Sequence, residues 1–165
     1  VKNREFKGFK VLPRGSSYKT ILNFLKQNNS LGMLIDQVTN VKSVFVDFYG
    51  KPAYTPIGAA MLALDSDATV FTTSYVRTEG NRFKLIFGPP LEITRTGDRQ
   101  EDLRINTERF HAAVEKQIKE YPTQWVWMHE RWKTTPEMVE AKEHEKQELR
   151  RKRREEKMQQ EAENQ

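Results

Sequence analysis

Apolar residues fall in short, punctuated groups along this chain, and their spacing predicts its elements. Phe6-Lys7-Gly8-Phe9-Lys10-Val11-Leu12 alternates as a half-buried strand does, and Pro13-Arg14-Gly15-Ser16-Ser17 ends it. Ser16 or Ser17 then caps a helix with Ile21, Leu22 and Leu25 on one face and Lys19, Asn23 and Lys26 on another. Leu31 to Ile35 is a continuous apolar run, as expected of a strand covered on both faces, and it delivers Asp36 and Gln37 at its end.

Val44 to Pro56, VFVDFYGKPAYTP, packs three signals into thirteen residues. A strand pattern runs to Phe48 and a glycine turn follows at Tyr49-Gly50-Lys51-Pro52. Thr55-Pro56 then reads as a helix start, because Thr is a favoured N-cap and Pro suits the first turn. The next segment, Ile57 to Leu64, is almost wholly small or apolar and predicts a buried helix.

Ala68 to Val76 and Phe83 to Phe87 are further strands joined through Thr78-Glu79-Gly80-Asn81. Pro89-Pro90 interrupts, and Leu91 to Thr94 reads as an edge strand. From Glu101 a helical stripe of Leu103, Phe110, Val114, Ile118 and Tyr121 takes over and ends before Pro122. Gln124 to Lys133 holds all three tryptophans. Strands alternating with helices predict an α/β fold with a mixed, largely parallel sheet flanked by helices. After Pro136 the chain turns to Glu, Lys, Arg and Gln with no stripe to bury, which predicts a charged helical or disordered tail. Residues 1–136 and 137–165 are thus expected to be the globular domain and its tail.

Composition sharpens this in two ways. The chain has no cysteine, which removes disulfides, thiolate metal sites and cysteine nucleophiles. Of the formal charge of +5, the tail from Glu137 carries nine acidic and eight basic residues, net −1, so Val1 to Pro136 carries +6 by difference. That excess suits anionic lipid, an acidic protein or nucleic acid. No apolar run approaches the length needed to span a bilayer.

Each candidate for chemistry has an ordinary explanation beside it. Arg14 is a loop arginine, yet it follows a strand and adjoins a helix N-terminus able to share an anion with it. Asp36 ends an apolar strand, where a carboxylate serves a site or caps a loop. Asp47 is expected to face solvent. His111 and Glu115 are four apart but lie off the apolar stripe, His129 is expected to pack among the tryptophans, and His144 sits in the tail. None of the three has the setting of a general base. Trp125, Trp127 and Trp132 with Arg131 and Lys133 suit core packing, a membrane interface or base stacking. The basic run Arg150 to Arg154 is flanked by glutamates and reads as a solvated segment. A non-catalytic basic and aromatic module binding membrane lipid or RNA is the alternative these residues leave open.

Taken in order, Gly8 to Arg14, Leu34-Ile35-Asp36-Gln37, Val44 to Ala53, the helix after Thr55 and Pro122-x-x-Trp125-x-Trp127-x-His129-x-Arg131-Trp132-Lys133-Thr134 resemble the lipid A late acyltransferases, the lauroyl and myristoyl acyltransferases of lipopolysaccharide synthesis. The resemblance runs from about Phe6 to Pro136. It implies a glycerolipid acyltransferase-like fold and transfer of a fatty acyl chain from acyl carrier protein to a hydroxyl of a lipid A precursor. It also implies an inner-membrane, cytoplasmic-face location through an anchor not present in this segment, with no cofactor and no metal; nucleic acid is not an expected partner. On the matching positions, Arg14, Asp36, Gln37, Phe48 and Gly50 are the expected substrate-binding residues. The family's His-x4-Asp/Glu base motif has no counterpart, since Lys116, Thr134 and Leu149 stand five residues after the three histidines. The chain is therefore expected to be the C-terminal, acceptor-binding part of such an enzyme, with no catalytic residue of its own and no acyl transfer in isolation.

Overall fold

The chain is seen in a computed structural model that describes Leu12, residues 16–39 and residues 41–163. The expected strand at Phe6 to Leu12, apart from Leu12, and Arg14 lie outside the described residues. Helix α1, Tyr18–Lys26, begins at Ser17, whose hydroxyl oxygen accepts from the Thr20 amide at 3.2 Å, as the capping pattern predicts. Its first residue docks it: the Tyr18 hydroxyl donates to the Met61 carbonyl at 3.1 Å and to the Asp65 carboxylate. Partial burial and the Asp65 acceptor together push the Tyr18 hydroxyl up to about 12.

The expected largely parallel sheet is replaced, among the described residues, by two antiparallel hairpins. Strands β1, Ser43–Phe48, and β2, Lys51–Pro56, pair from Ser43 with Pro56 to Phe48 with Lys51. Only Tyr49 and Gly50 separate them, with φ of 56° and 73°. Two consecutive left-handed residues are the geometry of the two-residue hairpin turn that matches strand twist. Asp47 completes the turn by accepting from the Gly50 amide at 3.1 Å, and is otherwise exposed as expected. Thr55-Pro56 is accordingly the end of a strand and not a helix start. Helix α2, Gly58–Ser66, begins two residues later at Ile57, with no side-chain cap.

Strands β3, Val70–Arg77, and β4, Phe83–Leu91, form the second hairpin. Pro89 and Pro90 lie inside β4 and do not end it; the register shifts between Phe71 and Thr73 to accommodate them. The Leu31 to Ile35 run, expected as a buried parallel strand, is irregular, and Leu34 is 78% exposed. Apolar continuity signalled burial there, but no strand among the described residues lies beside it. The free edge of β3 is protected instead at Arg77, whose amide donates to Gln124 Oε1 at 2.7 Å and whose carbonyl accepts from Gln124 Nε2 at 3.0 Å.

Helix α3, Arg99–Glu120, is the spine on which both hairpins and α2 rest. Asp98 caps it by accepting from the Gln100 and Glu101 amides, and Glu101 and Asp102 in the first turn complement the helix dipole. Leu103 and Phe110 pack against Ile57, Ala60, Ala63 and Leu64, while Ile118 joins Phe48 and Ala53 in a second cluster. Buried Asn106 ties the β4–α3 connection down, accepting from the Thr94 amide at 2.9 Å and donating to its carbonyl at 2.8 Å. The tail is a helix, α4, Pro136–Glu163, charged throughout and almost wholly exposed. No helix among the described residues is long and apolar enough to cross a membrane.

Candidate functional site

Four chain segments meet at a buried polar knot. Arg131, 1% exposed, extends one guanidinium nitrogen to the Tyr54 carbonyl at 2.9 Å. The other donates to the Thr55 hydroxyl and to His111 Nε2, the latter at 3.0 Å. A guanidinium only donates, so Nε2 is the acceptor and His111 is the neutral tautomer with its proton on Nδ1. Burial, reinforced by the adjacent Arg131 charge, pushes the imidazole down to about 4. Burial also lowers Arg131 below the ordinary guanidinium range, and Asp36 is the carboxylate whose charge opposes that shift. Burying a cation without such compensation is strongly unfavourable, so Asp36 is part of what permits Arg131 inside.

The tryptophans turn into this knot. Trp125 Nε1 donates to Asp36 Oδ2 at 2.8 Å and Trp132 Nε1 to the Phe48 carbonyl at 3.3 Å. Phe48, with no exposed surface, lies 5.7 Å from each of those indoles, and the Arg131 guanidinium stands 5.5 Å above its ring. Trp127 is half exposed, with its N–H on the Pro122 carbonyl at 2.5 Å. Two of the three indoles therefore serve packing and the anchoring of Asp36. His129, expected to pack among them, is exposed.

The expected site residues separate. Asp36 is adjacent to the knot and lines a cleft, and Gln37, its neighbour in the chain, is half-buried. Phe48 is core, and its contribution to shape is indirect. Gly50 is exposed at the β1–β2 turn, where the Tyr49 amide donates to the Glu115 carboxylate at 2.9 Å. That carboxylate is held below its ordinary range by Lys119, at 2.6 Å, and by the Tyr49 amide.

The cleft, of about 1250 Å³, opens between the 28–36 segment, α2, the β3–β4 hairpin and α3. Its floor is apolar, formed by Leu62, Ala63, Val76, Phe110, Val114 and Ile118, and Asp36 and Trp125 stand at its wall. Gln117 bridges floor to hairpin by accepting from the Ser74 hydroxyl at 2.8 Å. A cleft with an apolar floor, polar side chains such as Asn28, Ser74 and Gln117 around it and a held carboxylate at Asp36 suits a ligand with both a hydrocarbon and a hydroxylated part.

Sequence reasoning missed His111, Thr55 and Arg131 as a unit. His111 was expected off the apolar stripe and is fully buried. The signal was present in the spacing of Leu103, Thr107, His111, Val114 and Ile118, four, four, three and four residues apart, which is one helix face once polar members are admitted. The Arg131 partners, 20 and 76 residues away, left no local trace.

The bacterial lipid A biosynthesis acyltransferase family matches residues 1–134. The phosphatidylinositol mannoside acyltransferase of Mycolicibacterium smegmatis is 27% identical over 136 residues, covering 80% of this chain and 43% of that protein. The protein of the same name from Mycobacterium tuberculosis is 25% identical over 133 residues, covering 78% and 40%. The chain thus spans about two fifths of the length of these relatives. With the match running through Asp36, the β1–β2 hairpin and the tryptophan segment that closes on them, the chain belongs to the bacterial lipid A biosynthesis acyltransferase family.

Proposed function

We propose that this chain supplies the acceptor-binding part of an acyltransferase that esterifies a hydroxyl on the head of a lipid. The cleft carries this reading: its apolar floor suits acyl chains, and Asp36, held at its wall by Trp125, would accept hydrogen bonds from head-group hydroxyls. In the reaction, the acceptor oxygen attacks the thioester carbonyl of the acyl donor. The C–S bond then breaks, and the proton lost by the hydroxyl is returned to the departing thiolate.

His111 is unsuited to remove that proton, being sealed from solvent with its Nε2 lone pair committed to Arg131. The base would come from polypeptide other than this segment, and the segment alone would transfer no acyl group. We assign the donor to acyl carrier protein, whose acidity suits the +6 balance of Val1 to Pro136. The acceptor class is a lipid with a sugar-bearing head. Lipid A precursors, from the family description, and phosphatidylinositol mannosides, from the relatives' names, both fall within it. Arg14 is the candidate for a head-group phosphate, with Asp36, Gln37 and the Gly50 turn as further contacts and Phe48 shaping the wall from behind. The place of action would be the cytoplasmic face of the inner membrane.

The test is a titration of the chain with monomeric, short-chain phosphatidylinositol mannoside and with a short-chain lipid A precursor, read by tryptophan fluorescence. Saturable quenching by at least one is expected, weakened about tenfold by Asp36→Asn on loss of a charge-assisted hydrogen bond. Absence of saturation with both ligands sinks the proposal.

A further inference from the structure

The β3–β4 hairpin has two unlike faces. Thr72, Ser74 and Val76 point toward α3 and the cleft. The other face carries Phe71, Tyr75, Phe83, Leu85 and Phe87, each between 47% and 67% exposed. The register sets Tyr75 opposite Leu85 and Thr73 opposite Phe87, so the residues form one continuous surface. Tyr75 and Phe83 stack with ring centroids 4.8 Å apart and planes 4° from parallel, and the Arg77 guanidinium lies 5.5 Å over Phe83. At about half exposure each, five such side chains present roughly 500 Å² of mainly apolar surface, near the upper limit for a patch left to water.

Charge at the hairpin is one-sided. Between Val70 and Leu91 the cations are Arg77, Arg82 and Lys84 and the only acid is Glu79; Arg77 is opposite Phe83 and Arg82 precedes it at the tip, while Lys84 pairs with Val76 on the other face. Aromatic side chains that end in a basic tip match the interface of an anionic bilayer, where rings sit at head-group depth and cations meet phosphates. The cleft supplies the second argument. Phe71, Tyr75 and Phe87 also line its rim, so the outer face leads directly into the trough that holds Asp36.

We propose that this hairpin face docks the protein on an anionic lipid surface and places the cleft mouth against the bilayer, so that a lipid acceptor reaches Asp36 without crossing water. The inference rests on the reading of a lipid acceptor but is tested apart from it. Docking needs no acceptor glycolipid, whereas cleft binding is read with monomeric ligand and no vesicles.

The experiment is co-sedimentation of the 165-residue chain with vesicles of phosphatidylcholine alone and of phosphatidylcholine with phosphatidylglycerol. Binding to the anionic vesicles, weakened by salt, is expected. Leu85→Ser with Phe87→Ser is expected to lower partitioning at least about tenfold, from the lost apolar insertion. Arg77→Glu with Arg82→Glu, both at exposed positions, is expected to abolish the preference for anionic vesicles. Thermal unfolding of both variants should match the parent, because the altered side chains already face solvent. Three outcomes overturn the proposal: no vesicle binding, binding that neither variant alters, or a marked fall in unfolding temperature of the Leu85→Ser, Phe87→Ser chain, which would show the face packing on polypeptide instead.

Discussion

Replacing Arg131 by Met keeps most of the side-chain volume and removes the charge at the centre of the knot. Three hydrogen bonds go with it, to Tyr54 O, the Thr55 hydroxyl and His111 Nε2. Removing one member of a buried, hydrogen-bonded charge cluster costs about 3–5 kcal/mol, because the remaining groups stay buried. Two features reduce the cost here: Thr55 keeps its own bond to the Ala53 carbonyl at 2.9 Å, and the guanidinium no longer has to be desolvated. A loss of about 3 kcal/mol is therefore expected, roughly two orders of magnitude in the folding equilibrium. The same substitution acts on His111. Arg131 is the second cause of its lowered proton affinity, after burial, so the imidazole should titrate above its present value of about 4 but below an exposed histidine. Urea unfolding followed by near-ultraviolet circular dichroism reads the first effect through Trp125 and Trp132, and a pH titration of the His111 ring resonances by NMR reads the second. If the variant unfolds within about 0.5 kcal/mol of the parent and the His111 titration stays put, the guanidinium does not sit against the imidazole and the knot as described is wrong.

Gly88→Ala should destabilise by about 1–3 kcal/mol, since an added Cβ would overlap the buried Thr72 hydroxyl. Adding Thr72→Ala should recover part of this, and a double-mutant cycle without coupling would refute the contact. Gly50→Val, at φ 73° in the two-residue turn, should cost about 1–2 kcal/mol by equilibrium unfolding; an unchanged midpoint would mean that the turn is not left-handed in solution. His111 has a folded proton affinity below its unfolded one, so between pH about 6.5 and about 4 the unfolded chain binds the extra proton. Stability should therefore fall as pH drops through that window, by at most roughly 3 kcal/mol from this group, and level off below it. His111→Gln, which keeps an acceptor for Arg131, should flatten the slope there by one proton, and an unaltered slope would exclude His111 as its source.

Much of the secondary structure was legible locally. Ser17 and Gly50 act on their immediate neighbours, and capping and turn geometry are short-range physics that a short stretch of chain contains in full. The failures share one cause. Thr55-Pro56 has the residues of a helix start, but the Tyr49-Gly50 turn returns the chain along β1, and strand pairing outweighs a capping preference of about 1 kcal/mol. Leu31 to Ile35 has the residues of a buried strand, yet a strand needs a partner, and pairing is not a property of five residues.

The candidate site divides the same way. Asp36 was marked by its position after an apolar run, and the Phe48-Tyr49-Gly50 turn by its glycine. Family membership also followed from sequence, because it depends on the order and spacing of segments along the chain. Only the tertiary structure joined Arg131 to Thr55 and His111, turned Trp125 onto Asp36, and left one hairpin face apolar and open. The physical reason is that local conformation is set by interactions between neighbours in the chain. Burial of a charge is decided by groups tens of residues away, which must all be in place before a guanidinium can leave water.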